Sequence, residues 1–315
     1  LKKRYKDSQI DVISVSWSCD ILKRMPEIDN VLISPTEHKK LSFMARYRFG
    51  KSLRDKYDVA FILPNSFKSA LIPYFAKIKT RIGWLGEFRY PLLTDIRKDQ
   101  KRYKLCVRRY VSLAYSKDQI PKDDFEFIYP ELSLAKDKVL ETLLKYNIDK
   151  DFKFIAICPG AAFGPAKCWP DNKYKDLFFN LINKGYSIVL LGSKSDSWIG
   201  DKIMKDFVSI SRVKNLISKT SLLEVSYIIE AASFVVSNDS GLMHIGCALN
   251  RKTVVLYGPT SPSFTPPLNI GAKIINLLED RVKLSKKERF AGYHKSMEDI
   301  TSKMVYEKLQ EFEDF

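Results

Sequence analysis

The sequence predicts an α/β fold: two doubly wound parallel-sheet domains of similar size, facing each other across a cleft. Three observations carry this expectation. Short apolar runs that suit buried strands alternate along the chain with amphipathic stretches of helical spacing. Many of the runs stop at a turn signal, as at Pro64-Asn65-Ser66, Pro159-Gly160, Gly192-Ser193 and Gly258-Pro259. The alternation breaks over residues 116–150, where Pro121, Asp123-Asp124 and Pro130 mark a loop. The domains are accordingly 1–148 and 149–300, with a hinge near Asn147–Asp151. The amphipathic stretch Ser302–Phe315 forms a terminal helix, within 301–315, that can cross back to the first domain.

In chain order, Ile10–Ser16 is a strand, Trp17–Met25 a helix, Asn30–Ile33 a short strand and Leu41–Lys56 a second helix. Tyr57–Leu63 is a buried strand, after which Asn65 or Ser66 suits the N-cap of the helix Phe67–Ala76, with Lys68 in its first turn. Thr80–Trp84 is a strand, Leu85–Tyr90 a loop carrying Arg89, Lys101–Tyr115 a basic helix and Ala135–Tyr146 another helix. The second domain opens with the strand Phe152–Cys158, the loop Ala161–Pro170 and the helix Lys173–Lys184. The strand Ser187–Leu191, helix Ser197–Phe207, strand Val213–Leu216 and helix Leu222–Ala231 follow. Then Phe234–Ser237, the turn Asn238-Asp239-Ser240-Gly241, the helix Leu242–Leu249 and the strand Thr253–Tyr257 make a βαβ unit. Asp239 or Ser240 suits the N-cap of that helix. Its free N–H groups and dipole then point to the carboxyl edge of the sheet, where a diphosphate is favoured.

Composition narrows the classes. A chain of 315 residues is long enough for two cores, and 45% hydrophobic with 29% charged residues is globular usage. No apolar run approaches the ~18 residues of a membrane span, and no signal peptide opens the chain. The five cysteines (Cys19, Cys106, Cys158, Cys168, Cys247) are scattered without CxxC spacing, which points to reduced cytoplasmic thiols. Three histidines and these cysteines form no metal-ligand pattern, and the DxD at Asp149-Lys150-Asp151 falls in the hinge. GxGxxG after a strand and a Walker loop are both missing, which argues against dinucleotide and P-loop classes. The net charge of +16 is uneven. Residues 1–150 carry 31 basic against 19 acidic side chains, a net +12, while 151–315 carry 22 against 18, a net +4. A basic first half calls for an anionic partner: nucleic acid, an anionic membrane surface or a phosphorylated substrate.

Five segments then resemble one family in order along the chain: PNSFKSALIPYFA, RIGWLGEFRYPLL, PGAAFGPAKCWP, NDSGLMHIGCALNRKTVVLYGPTSPSFTPP and GYHKS. They resemble the lipopolysaccharide heptosyltransferases of glycosyltransferase family 9, and among these the heptosyltransferase II branch. The resemblance covers nearly the whole chain. It implies the GT-B fold of two Rossmann-like domains. It also implies an inverting, metal-independent transfer of L-glycero-D-manno-heptose from ADP-heptose to the heptosyl-Kdo inner core of lipopolysaccharide. ADP is the product and no cofactor is needed. The implied partners are ADP-heptose and the inner-core acceptor, without nucleic acid, in the cytoplasm of a Gram-negative cell and peripherally at the inner face of its membrane.

The resemblance assigns roles to residues. Lys167, Asp239 and His244 are the catalytic candidates. Lys167 pairs with the leaving diphosphate, and His244 donates to it. Asp239 either caps the helix or holds His244 or the loop. Gly160, Ala162, Phe163, Lys167, Gly192, Ser193, Asp239, Ser240, Gly241, Leu242, Met243 and His244 line the donor site. There Gly192-Ser193 borders the adenosine and Gly241 admits the phosphate. Asn65, Lys68, Arg81 and Arg89 bind the acceptor. The chain opens at LKKRYKDSQ, which reads as the tail of a helix. The expectation is that roughly 20–25 residues, a strand with its loop and the start of a helix, precede it. The family's general base, an aspartate in a Gly-Asp turn after that strand, has no counterpart here. A non-catalytic nucleotide-sugar or polyanion-binding protein therefore stands as an alternative, as does another GT-B heptosyltransferase or epimerase.

Overall fold

A computed structural model of the chain describes residues 1–36, 40–149 and 153–315. Its strands all pair in parallel. The first half contains β1 (Asp11–Ser14), α1 (Ser16–Leu22), β2 (Asn30–Ile33), α2 (Phe43–Ser52), β3 (Val59–Ile62) and α3 (Leu71–Phe75). β4 (Thr80–Trp84), β5 (Asp95–Arg97) and α4 (Cys106–Val111) complete it. α5 (Lys136–Lys145), β6 (Phe154–Cys158), α6 (Asp171–Asn183), β7 (Ser187–Leu190), α7 (Ser197–Met204), β8 (Val213–Asn215) and α8 (Leu222–Ala231) follow. The chain continues with β9 (Phe234–Asn238), α9 (Gly241–Ala248), β10 (Thr253–Tyr257), β11 (Lys273–Asn276), α10 (Lys286–Phe290), α11 (Lys295–Glu298) and α12 (Ser302–Gln310).

The second half builds one six-stranded sheet in the order β11-β10-β9-β6-β7-β8. Alternation along its strands covers both faces. Ile155, Ile157, Ile188, Leu190, Phe234, Val236, Val254 and Leu256 join one core with side chains of α6, α7 and α12. Phe154, Ala156, Cys158, Val189 and Val235 join another with α5, α8 and α9. Each fully buried Ile or Val of this sheet contributes about 1.5–3 kcal/mol of apolar transfer. The first half differs. Its parallel strands form two sheets, β1-β2 and β3-β4-β5. Among the described residues β1 and β3 are each paired on one side only. Smaller clusters, such as Ile62, Ala70, Leu71, Leu92 and Leu93, cover them.

Several boundaries differ from those read in the sequence. The compact units are Leu1–Lys23 with Glu27–Ile128, and Arg24–Pro26 with Tyr129–Phe315. The boundary thus precedes the expected 148/149; Lys150 and Asp151 of the expected hinge lie outside the described residues. α5 belongs to the second unit because Leu143 and Thr142 are buried and Leu143 joins the core built by α8. α12 also belongs there. Val305, Leu309 and Phe312 sit in the core with side chains of α6 and β9. The basic helix expected over Lys101–Tyr115 is broken, and only α4 within it is α-helical. Tyr103 is extended, with its ring fully buried and its hydroxyl donating to the Pro121 carbonyl at 2.7 Å. Burying that ring prevails over helix propensity.

Candidate active site

In an open parallel sheet, ligands bind outside the carboxyl ends of the strands where strand order reverses. Here the reversal lies between β6 and β9. From β6 the chain adds β7 and β8 on one side, then adds β9, β10 and β11 on the other. The loop after β6 and the turn after β9 therefore emerge side by side.

Asn238, the last residue of β9, joins them. Its buried side chain donates from Nδ2 to the Pro159 carbonyl at 2.7 Å and accepts at Oδ1 from the Trp169 N–H at 3.3 Å. The loop is thus pinned near both ends. Trp169 is fully buried and donates from Nε1 to the Ile300 carbonyl at 2.9 Å. Between the pins, Gly164 has φ +100°, and a Cβ there would lie 2.6 Å from the Arg289 carbonyl oxygen. Only glycine satisfies both demands. A 3-10 turn at Pro165–Lys167 then delivers the lysine.

Lys167 Nζ donates to Asp239 Oδ2 at 2.8 Å, with the two side chains 13% and 8% exposed. Asp239, expected as an N-cap or as the holder of His244 or the loop, is committed to this lysine of the loop. Its backbone N–H bonds the Leu256 carbonyl at 3.1 Å. Ser240 occupies the N-cap position of α9, but no side chain among the described residues caps the helix. A Cβ on Gly241 would meet nothing within 4 Å. The space before the first turn of α9 is open, and the unsatisfied N–H groups of a helix start point into such a space.

His244 lies in the same helix and keeps an exposed edge. Desolvation by the surrounding protein lowers its pKa; the Asp239 carboxylate opposes this and the Lys167 ammonium adds to it. At neutral pH the imidazole is uncharged and offers one N–H. Two residues expected at the donor site turn inward instead. Met243 is fully buried with Cys247, Val255 and Tyr257. Leu242 packs on the core of α8. What these positions leave to a ligand is backbone.

Gly160 and Gly192 both abut Asp196. A Cβ on Gly160 would lie 2.2 Å from Asp196 Cγ, and one on Gly192 would lie 3.2 Å from Asp196 Cβ. Asp196 Oδ2 accepts from the Ser193 N–H at 2.8 Å and from Ser193 Oγ at 2.7 Å. This buried carboxylate closes the turn after β7 and packs against Gly160 of the loop after β6. Burial first, and Asp196 second, push the Cys158 thiol up to about 12, far from a nucleophile. Ala162 and Phe163 are exposed on the loop, Phe163 at 56%.

The four acceptor candidates divide. Arg89 is fully buried. Its Nε donates to the Trp84 carbonyl at 3.0 Å, Nη1 to Ser69 Oγ at 3.2 Å and Nη2 to Asn65 Oδ1 at 3.5 Å. It is a strut between the loops after β3 and β4, not a free cation. Arg81 sits at the start of β4, away from the carboxyl edge. Nε donates to the Leu92 carbonyl at 2.7 Å and Nη1 to the Ile78 carbonyl, and burial lowers its pKa. Asn65 donates to Gln100 Oε1 at 2.9 Å. Lys68 lies in a 3-10 turn, Phe67–Ala70, and among the described residues it has no ion pair. The N–H of Phe67 at the start of that turn is satisfied by Glu87 Oε2 at 2.7 Å, not by Asn65 or Ser66.

Among the described residues no group of three or more His, Cys, Asp or Glu is placed to hold a metal ion. Lys150 and Asp151 of the DxD lie outside them. No described helix is long and apolar enough to cross a membrane. Asn238 and Asp196 are the residues whose part the sequence reading missed. Asn238 closes the fully buried strand FVVSN, and a buried polar group must find partners.

The family model "Glycosyltransferase family 9 (heptosyltransferase)" matches residues 46–294. The chain is 46% identical over 319 residues to lipooligosaccharide heptosyltransferase 2 of Haemophilus influenzae, covering 99% of this chain and 92% of that one. It is 41% identical over 319 residues to lipopolysaccharide heptosyltransferase 2 of Escherichia coli K12, covering 98% and 91%. The solved structure of E. coli ADP-heptose lps heptosyltransferase II superposes with a TM-score of 0.88 at 39% identity, covering 98% and 91%. That of E. coli heptosyltransferase WaaC with ADP, at 18% identity, shares the fold with a TM-score of 0.69. Read with the parallel α/β units and the site at the β6–β9 reversal, these matches show that the chain belongs to glycosyltransferase family 9, the heptosyltransferases.

Proposed function

We propose that the chain moves L-glycero-D-manno-heptose from ADP-heptose to the heptosyl-Kdo inner core of lipopolysaccharide, with inversion and without a metal. The observation that carries this reading is the Lys167–Asp239 pair beside the open, uncapped start of α9. The diphosphate lies across the helix start, and Gly192-Ser193 borders the adenosine. As the bond from C1 of heptose to the β-phosphate oxygen breaks, its electron pair goes to that oxygen and negative charge grows there. Lys167, the α9 N–H groups and the His244 N–H meet this charge more strongly in the transition state than in the ground state. The acceptor hydroxyl attacks C1 from the opposite face. The hydroxyl proton is released as the new bond forms, so that ADP-heptose and the acceptor give ADP, the heptosylated acceptor and a proton.

The acceptor falls to the first unit. That unit carries 26 basic and 15 acidic residues, a net +11, against 27 and 22, a net +5, in the second. Of the four acceptor candidates, Lys68 keeps an uncommitted charge for a carboxylate or phosphate of the inner core. Exposed Trp17, Phe43 and Phe88 with this net charge favour peripheral contact with an anionic membrane face. Salt-sensitive sedimentation with anionic vesicles, lost with neutral ones, checks that contact. The decisive test of function is an assay with ADP-heptose, heptosyl-Kdo lipid acceptor and EDTA. ADP release matched by heptosylated acceptor is expected. ADP binding without transfer would return the chain to the non-catalytic binding reading.

A further inference from the structure

The donor site as drawn so far is short of positive charge. Lys167 and Asp239 neutralise each other at 2.8 Å, and the lowered pKa of His244 leaves that ring uncharged at pH 7. A nucleoside diphosphate arriving there carries between two and three negative charges, and only the partial charge of the α9 start is left to oppose them.

A second cation stands at the same loop. α10 carries Arg289, and its start is set by a reciprocal cap in which Ser285 Oγ accepts from the Glu288 N–H at 3.3 Å and Glu288 Oε2 accepts from the Ser285 N–H at 2.6 Å. Glu288 is thereby occupied and does not pair with Arg289. The Arg289 guanidinium lies 5.3 Å from the centre of the Phe163 ring, and Lys167 Nζ lies 5.4 Å from the centre of the same ring. The Arg289 carbonyl rests against Gly164, so the helix and the lysine loop are fitted to each other at backbone distance. Arg289 donates from Nε to the Leu284 carbonyl at 3.2 Å, and among the described residues it has no ion pair. A ring that holds two cations gathers charge beside a helix start which itself favours anions.

We propose that Arg289 is a diphosphate-binding residue of the donor site, acting beside Lys167 and kept in place by Phe163. This rests on the donor site described above. The guanidinium remains charged at any working pH and donates charge-assisted hydrogen bonds to phosphate oxygens without a carboxylate partner among the described residues to offset it. It supplies the net positive charge that the Lys167–Asp239 pair lacks.

Calorimetric titration of the full chain with ADP, AMP and adenosine tests this. Arg289→Gln is expected to weaken ADP about tenfold, the effect of one lost charge-assisted contact. AMP should weaken less and adenosine not at all. Arg289→Lys should recover most of the ADP affinity, because charge near the ring is kept. Unchanged ADP affinity in Arg289→Gln overturns the proposal. An equal loss for ADP and adenosine also overturns it, because Arg289 would then only shape the loop. If Arg289→Gln fails to fold, Arg289→Lys with Phe163→Leu decides. ADP affinity held by the first and lowered by the second supports the proposal, and the reverse overturns it. A parent chain that binds no ADP removes the donor-site reading itself, and Arg289 with it.

Discussion

Lys167 and Asp239 are paired before any ligand is present, and this alters what removing the lysine does. Lys167→Ala exposes the nearly buried Asp239 carboxylate to the incoming diphosphate, so repulsion joins the loss of attraction. Turnover should fall roughly 10²-fold or more, and ADP affinity should fall as well. Adding Asp239→Asn should recover the affinity but not kcat, because the cation that meets the developing charge is still missing. Full recovery of kcat in the double variant, followed by initial-rate kinetics, would show that Lys167 acts only by neutralising Asp239. The sequence placed Lys167, Asp239 and His244 correctly near one another, because their motifs follow neighbouring strands. For Asp239 it left the helix cap, His244 and the loop open, since a capping aspartate and one paired to a distant lysine look alike in a string of letters; the pair with Lys167 is the loop alternative. Arg81 and Arg89 misled for a related reason. Their carbonyl partners come from Ile78, Leu92 and Trp84, and no pattern in the sequence marks an arginine that will be spent on backbone.

At the scale of elements, the buried strands were legible and the edges were not. β6, β9 and β10 are buried along their whole length, so their apolar runs announce them. β5 and β11 escaped notice because each is a three- or four-residue edge with charged residues. β5 is held by the register Ile82↔Asp95 and by the Arg97–Asp95 pair at 2.7 Å, neither of which is a local signal. α9 offers a prediction with opposed signs. Its first residue is Gly241, without a positive φ and with open space where a Cβ would go. Gly241→Ala should stabilise the fold by roughly 0.5–1 kcal/mol through helix propensity and the unfolded chain. The same methyl should weaken ADP binding, because it enters the open space where the diphosphate is proposed to lie. A denaturant melt and a titration on one sample check both. Tighter or unchanged ADP binding would place the diphosphate elsewhere.

The two units differ as wholes in how their cores are built. One sheet covered on both faces forms the second, whereas the first spreads its burial over two short sheets with one-sided strands and several small clusters. An unpaired strand edge leaves N–H and C=O groups to water and to other chains. The first unit is therefore expected to melt below the second, giving two heat-absorption peaks in a scanning calorimeter instead of one. Every residue proposed to bind the donor belongs to the second unit. A ligand stabilises only what it binds, by about 2.7 kcal/mol at one hundred times its Kd. ADP should accordingly raise the upper peak and leave the lower where it was; a single peak that moves as a body would show one cooperative unit. The six-stranded sheet, covered on both faces, thus makes the upper peak a gauge of donor occupancy. ADP, AMP and the variants above can be ranked by how far each displaces it, without heptose transfer having to occur at all.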